Sequence, residues 1–170
     1  MRKIAKQFSN TTNNLGMFGG IISALDGWLV KIKCPTQKQG GVTNLGSFYC
    51  RKGCCAINVQ EICNWNKIIA WHSIKCRDSE HDSTAFKHSD LCKLLMKKTE
   101  VMINLGFCFL CDSAYCLQPF FLTPFDCAKY GTPEDVFNYH FLTSWILIEC
   151  AFGKIDARWR FFWLPLRIFL

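Results

Sequence analysis

The longest regular pattern of apolar and polar residues runs from Thr132 to Trp159 and predicts one long helix. Apolar residues recur along it at close to the helical period of about 3.6 residues. Thr132 is a favoured N-cap residue, and Pro133 suits the first helical position. Glu149 is the only charged residue in the middle of this pattern. A single acid on a helix that is otherwise suited to burial must be paired, protonated or bound to a cation.

Two more acids follow short apolar runs earlier in the chain. Asp26 comes directly after residues 21–25, and Asp112 comes directly after residues 107–111. Each run has the length and composition of a short buried strand, so each acid is predicted to end a strand. Two strand carboxylates and one helix carboxylate supply the oxygen ligands that divalent metals prefer. The pattern therefore indicates a candidate metal site formed by Asp26, Asp112 and Glu149.

The remaining pattern predicts an α/β domain. A polar lead-in covers residues 1–19, the main domain covers 20–160, and an apolar tail covers 161–170, interpreted as a piece of core that ends early. Strands are predicted at 21–25, 28–33, 48–63, 67–74 and 101–111, and a helix from Asp82 or Ser83 to about Lys98. We expect a mixed sheet flanked by helices, as in ribonuclease H-like folds, truncated at both ends.

Composition narrows the class of protein. A chain of 170 residues, half of them hydrophobic, is long enough for one globular domain with its own core. The formal net charge of +7 suits a polyanionic partner handled at an acidic metal site, although solubility alone explains it equally well. The longest uncharged apolar runs fall short of the roughly 18 to 20 residues of a membrane span, so no membrane association is expected.

The 12 cysteines show no repeated spacing. Cys108 and Cys111 form a CxxC pair, but no second pair completes a tetrahedral zinc site. The first residues contain no apolar segment of a secretory signal, so we expect a protein that is not secreted. Reduced and mostly buried thiols are therefore predicted for all twelve.

Several short motifs together resemble the DDE endonuclease domain of PIF/Harbinger-type transposases. They occur in the order found in that family and span about residues 20 to 160. The motifs are Ala24 to Gly27, Phe48 to Gly53 leading to Ile57 to Gln60, His81 to Ser83, Asp112 to Tyr115, Phe137 to Asn138, and Ile148 to Gly153.

The resemblance implies a metal-dependent DNA endonuclease or transposase. Asp26, Asp112 and Glu149 would be the catalytic and metal-binding triad, with Mg²⁺ or Mn²⁺ as the cofactor. DNA would be the substrate, and a separate Myb-like DNA-binding protein would be a partner. The expected location is the nucleus, with the cytoplasm as the site before import.

Further residues are candidates for supporting roles, each with a plainer alternative. His81 and Asp82 would steady the active site, or Asp82 would cap a helix. Asn138 would bond near the site, although a polar residue early in a helix needs no such role. The candidates for DNA contacts are Arg51, Lys52, Lys154, Arg158 and Arg160. A solvated hairpin explains the first two equally well, and the helix dipole explains the last three.

The sequence also departs from the resembling family. Trp145 stands four residues before Glu149, where arginine is usual, and Cys50 replaces an asparagine. The preceding helix-turn-helix region of that family is missing, so the chain is interpreted as a truncated, decayed or domesticated copy. Two alternatives to an active nuclease follow: a catalytically inactive relic that binds DNA or protein, and a cysteine-rich structural protein unrelated to nucleases.

Overall fold

A five-stranded mixed sheet with helices on both faces forms the centre of the protein. The computed structural model describes residues 1–11, 18–34, 48–49, 53–77 and 81–167. The strands are β1 (Ile21–Ile32), β2 (Cys55–Cys63), β3 (Ile69–Arg77), β4 (Cys108–Cys111) and β5 (Phe121–Leu122). The helices are α1 (Arg2–Thr11), α2 (Asp82–Lys87), α3 (Asp90–Lys97), α4 (Thr99–Leu105) and α5 (Pro133–Arg158), followed by a 3₁₀ helix (Arg160–Trp163).

The strand order is β3-β2-β1-β4-β5, with β1 at the centre. Strand β1 pairs antiparallel with β2 and parallel with β4. Strand β3 is antiparallel to β2, and β5 is parallel to β4. The mixed sheet predicted from the sequence is therefore confirmed, and β1 joins its antiparallel half to its parallel half.

Each face of the sheet has its own core. Helices α2, α3 and α4 cover one face, where Phe86, Leu95 and Met102 pack against Leu25. Helix α5 covers the other face, and the side chains it buries form a single stripe. That stripe consists of Phe141, Ser144, Leu147, Ile148 and Ala151. None of the helices in the described part of the chain has both the length and the apolar character needed to cross a bilayer.

Strand β1 is longer than predicted. It runs without interruption through Asp26 and Gly27, which the sequence pattern had placed at a turn between two short strands. Asp26 therefore lies within a strand rather than at its end. Residue pairs continue from Ala24 to Ile32 along β2, so the backbone hydrogen bonds of the ladder keep this segment extended.

Helices α2, α3 and α4 replace the single helix predicted after Asp82. Ser89 caps α3, because its Oγ accepts a hydrogen bond of 3.0 Å from the N–H of Cys92. The strand predicted from Val101 was wrong in its first half, since α4 continues to Leu105. Gly106 then ends α4 in the left-handed conformation, with φ of 64°, and β4 begins two residues later.

Both ends of the described chain contact the sheet. The polar lead-in contains α1, which buries Ala5 and Phe8 in the core. In the described part of the apolar tail, Trp163 and Leu164 are 62% and 71% exposed, whereas Leu166 packs against a small core cluster that contains Ile32. The backbone of the tail joins β1, where the N–H of Lys33 donates to the carbonyl of Leu166 over 2.9 Å.

The expectation of twelve reduced and mostly buried thiols was wrong. Cys34 at the end of β1 forms a disulfide with Cys55 at the start of β2. Of the free cysteines in the described residues, Cys116, Cys127 and Cys150 are exposed. The sequence spacing did not reveal the bridge, because it joins neighbouring strands whose pairing is a property of the tertiary structure.

Candidate active site

Asp26 lies on β1, and Asp112 directly follows the last residue of β4, the parallel neighbour of β1. Leu25 of β1 pairs with Cys111 of β4, and an aspartate is the next residue after each of them. Neighbouring strands are about 4.8 Å apart. The two acids therefore come from adjacent segments of one mixed sheet, and their joint role in a metal site stays a prediction.

Burial strongly perturbs Asp26. Desolvation raises the pKa of its carboxyl group from 3.8 to about 7, against the lowering effect of a hydrogen bond from the N–H of Gly27. That bond is 2.7 Å long. Repulsion from Asp112, Asp82 and Glu149, in that order, raises the pKa further. The predicted rise in a carboxylate pKa is confirmed, and four acids share one electrostatic environment.

Asp112 is half-buried in the turn that follows β4. Burial raises its pKa, the N–H groups of Ala114 and Tyr115 lower it, and repulsion from Asp82 raises it. The N–H of Ala114 donates to Oδ1 of Asp112 over 2.7 Å. The turn therefore fixes this carboxylate next to Asp26 while leaving part of it accessible to a ligand.

Glu149 approaches from α5 but is exposed, so its expected burial was wrong. The reason is the narrow stripe through which α5 contacts the sheet. Ile148 and Ala151 belong to that stripe and are fully buried, whereas Glu149 lies beside it. The glutamate is still close enough to raise the pKa of Asp26.

The acids have the donor chemistry for a divalent metal but are not arranged as a closed ligand set. Carboxylate oxygens are the ligands that Mg²⁺ and Mn²⁺ prefer. Among the described residues, however, no three His, Cys, Asp or Glu side chains form a group that could hold a metal ion. The carboxylate oxygens are suitable ligands for a divalent metal, but the described side chains are not positioned to coordinate one together.

A buried network of polar side chains holds Asp82 beside these acids. Oδ1 of Asp82 accepts hydrogen bonds from Nδ2 of Asn58 over 2.7 Å and from Nε2 of Gln60 over 3.0 Å. Tyr115 donates to Oε1 of Gln60 over 2.6 Å. Asp82 therefore does not serve as the helix cap, because its carboxylate is bonded to β2.

Gly27 makes room for this network. A Cβ atom at this position would overlap Oδ1 of Asp82 and lie 2.7 Å from Nε2 of Gln60. Only glycine leaves enough room for the Asp82 carboxylate to lie against β1 at the residue next to Asp26. Gly27 thus matters for packing. It does not form the turn that the two predicted strands, 21–25 and 28–33, would require.

Two predicted supporting residues have structural positions instead. His81 is the N-cap residue of α2, but its side chain makes no capping hydrogen bond, and it is exposed. The side-chain amide of Asn138 bonds both backbone groups of Phe125, at 2.8 and 2.9 Å. Asn138 therefore fastens the preceding loop to α5, and its amide is committed to that contact.

The basic candidates are only partly described. Lys154 and Arg158 are exposed near the end of α5. The guanidinium groups of Arg158 and Arg160 lie 6.0 and 5.8 Å from the ring centres of Trp159 and Trp163. Arg51 and Lys52 lie outside the described residues. The exposed Lys154 and Arg158 are accessible to a phosphate backbone.

Asn58, Gln60 and Tyr115 were missed as site residues. A signal for them was present, because Asn58 and Gln60 are polar residues two positions apart in a largely apolar and buried strand, whose other polar residue is Glu61. Residues at this spacing point to the same face of a sheet. Two buried amides on one face require polar partners, and Asp82 and Tyr115 supply them.

Asp26 on β1 and Asp112 directly after β4 come from paired parallel strands, and Glu149 lies on α5, which packs on the same sheet. The chain belongs to the DDE superfamily endonuclease family, whose model matches residues 25–169. This family and the mixed sheet flanked by helices confirm the ribonuclease H-like fold. Family membership indicates a transposase-type nuclease that acts on DNA. Neither the curated proteins nor the solved structures contain a match to this chain.

Proposed function

We propose that this protein is a metal-dependent DNA endonuclease of the PIF/Harbinger transposase type. Asp26, Asp112 and Glu149 are its catalytic and metal-binding residues. The observation that carries this proposal is the pairing of β1 with β4, which sets Asp26 beside Asp112. Glu149, on the helix that packs on the same sheet, is close enough to Asp26 to raise the pKa of that carboxyl group.

The three carboxylates would hold divalent ions, Mg²⁺ or Mn²⁺. The bound ions would activate a water or 3′-hydroxyl nucleophile and stabilise the leaving oxygen. Strand β1 and the turn after β4 keep Asp26 and Asp112 at a constant separation, which suits a site that must hold two ions. Asp82 lies against Gly27 of β1 and is hydrogen-bonded to Asn58 and Gln60 of β2. These contacts help to keep this part of β1 in position.

The substrate is DNA, held by its phosphates. Lys154, Arg158 and Arg160 follow Glu149 along the surface, where cations can contact a backbone that passes the acids. Arg51 and Lys52 are further candidates for phosphate contacts. A separate Myb-like DNA-binding protein as the partner, and the nucleus as the place of action, are part of the same proposal through the resemblance to transposases.

A second candidate function is a catalytically inactive relic that binds DNA or a protein. One observation favours it: the described residues contain no group of three side chains placed to hold a metal ion. Trp145 occupies the position at which related transposases usually carry arginine. Only the first candidate, the endonuclease, is expected to cleave DNA in the presence of a divalent metal.

A nicking assay on supercoiled DNA separates them. We expect the wild-type protein to nick DNA with Mg²⁺ or Mn²⁺ and not with EDTA. Asp112→Asn should lose activity by a factor of about a hundred or more, since a metal-binding carboxylate is removed. Asp126→Asn is the matched control, because Asp126 is an exposed aspartate in the loop before α5. No metal-dependent nicking by the wild type would support the relic, whereas equal nicking by both variants would show that Asp112 is not a catalytic residue.

A further inference from the structure

A second recess lies on the α5 face of the sheet, toward the end of the molecule where the 3₁₀ helix packs. It consists of two cavities of about 370 and 450 Å³. The two cavities share three lining residues, which are Trp28, Glu61 and Phe162. We call this pair of cavities the Glu61 recess.

Among the described residues, the buried acid Glu61 has no partner. It is 7% exposed, and its Oε2 atom is buried without a hydrogen bond. Burial raises its pKa from 4.5 to about 7, and no cation within the described residues offsets this rise. Its cross-strand neighbours are Asp26 on β1 and His72 on β3. A buried carboxylate that lacks a counter-ion is costly unless a ligand supplies one.

Aromatic rings form much of the wall of the recess. The indole of Trp28 stacks on Phe152 at 5.8 Å and meets Phe162 edge-on at 4.9 Å. Trp159 and Phe161 also line it, and each is 53% exposed. Aromatic faces next to a carboxylate form the environment in which proteins bind organic cations.

The geometry also indicates which cation fits. Because Oε2 of Glu61 is closed off from solvent, a ligand would reach the carboxylate through its other oxygen. A single-point contact suits an ammonium group, whereas the guanidinium fork of arginine is best met by both oxygens. The apolar side chains of Val59 and Ile57 line the approach, where the methylene groups of a lysine would pack.

We propose that the Glu61 recess binds the side chain of a lysine from a partner protein. The ammonium group pairs with Glu61 and lies against Trp28 and Phe162. This site is distinct from the function proposed for Asp26, Asp112 and Glu149, because it requires neither metal nor DNA. The nearby Arg158 and Arg160 do not fill it, since their guanidinium groups lie over Trp159 and Trp163.

An NMR titration of the full chain, with three small probes, tests the proposal. The probes are N-acetyl-lysine N-methylamide, its norleucine analogue without the ammonium group, and its arginine analogue. We expect saturable shifts centred on Trp28 and Phe162, with the lysine probe binding at least about tenfold more tightly than the other two. No saturation, or equal or tighter binding of the norleucine or arginine probe, would overturn it.

Glu61→Gln keeps the shape of the side chain and removes its charge. We expect the variant to fold with a melting temperature at or above that of the wild type, and to bind the lysine probe only as weakly as the norleucine probe. Glu100→Gln is the matched control, because Glu100 is an exposed glutamate on α4. Unchanged lysine affinity in Glu61→Gln would contradict the proposal, and the wild-type comparison of probes does not depend on any variant.

Discussion

Asp26 shows how one partly buried residue can link function to stability. Its pKa of about 7 means that the folded protein holds a proton on this carboxyl which the unfolded chain has released above pH of about 4. The folded state thus binds more protons than the unfolded state between these values, so stability falls as pH rises through this window. Above about pH 7 both states are ionised, and the loss is complete.

Asp26→Asn should therefore flatten the pH dependence of stability. In EDTA, we expect the wild-type free energy of unfolding to fall between about pH 4 and 7. Over the same pH range, the free energy of unfolding of the variant should fall by about 2 to 4 kcal/mol less than that of the wild type. Urea unfolding at several pH values measures it, with Asp126→Asn as the exposed control. Glu61 titrates in the same range and leaves a remaining slope. Identical slopes in wild type and Asp26→Asn would show that Asp26 is not buried as an acid.

The hydrogen bond from Tyr115 to Gln60 connects the turn after β4 to β2. Both side chains are buried, so removing one partner leaves a polar group without water or a bond. Gln60→Leu should cost about 2 to 3 kcal/mol of stability, and Tyr115→Phe should cost less. The double variant should cost less than the sum of the two, by about 1 kcal/mol or more. Additive losses in a double-mutant cycle would contradict a direct bond.

At the scale of elements, β1 acts as the support of the site. It carries Asp26 on the face covered by α5, and the Asp82 carboxylate lies against Gly27 on the opposite face. The uninterrupted strand and its two sets of neighbours therefore set the distance between the site and the Asn58–Gln60–Tyr115 network. A side chain at Gly27 would therefore disturb this arrangement.

Gly27→Ala should displace the Asp82 carboxylate or distort β1. We expect a loss of about 1 to 3 kcal/mol in stability, as for overpacking in a core, together with reduced nicking activity. Gly153→Ala is the control, because Gly153 lies in α5 with no atom within 4 Å of the added Cβ. That variant should gain about 0.5 to 1 kcal/mol. Denaturant unfolding measures both, and a neutral Gly27→Ala would contradict the close contact with Asp82.

At the scale of the whole molecule, the acids should couple folding to metal binding. Under the function proposed above, the metal is held by Asp26, Asp112 and Glu149, which are far apart in the sequence, so only the folded chain could bind it. A metal that binds only this state stabilises it by about 2.7 kcal/mol at a hundredfold excess over its dissociation constant.

The melting temperature of the wild type should therefore rise with millimolar Mg²⁺ or Mn²⁺ at neutral pH. Asp112→Asn should be no less stable than the wild type in EDTA, because one repelling charge is removed, and should gain less from metal. Differential scanning fluorimetry with both metals, Ca²⁺ and EDTA measures this. A wild-type melting temperature that ignores all of them would favour the inactive relic.

Local sequence patterns were sufficient for some elements and for the nature of the site. Thr132 and Pro133 predicted the start of α5, and Trp159 follows its last residue, because capping and helical period act within one or two turns. The strand content of β1 and β2 followed from their apolar runs. The motifs around Asp26, Asp112 and Glu149 were sufficient to indicate the family that the chain belongs to.

Only the tertiary structure decided which elements meet. The placement of β4 beside β1, the passage of Asp82 over Gly27 and the Cys34–Cys55 bridge all join residues distant in sequence. The exposure of Glu149 depends on which narrow stripe of α5 the sheet buries. Such contacts are selected by the burial of both faces of the sheet together, a free energy that no short window of sequence contains. Residue types therefore determined the chemistry of this site, and long-range packing determined its geometry.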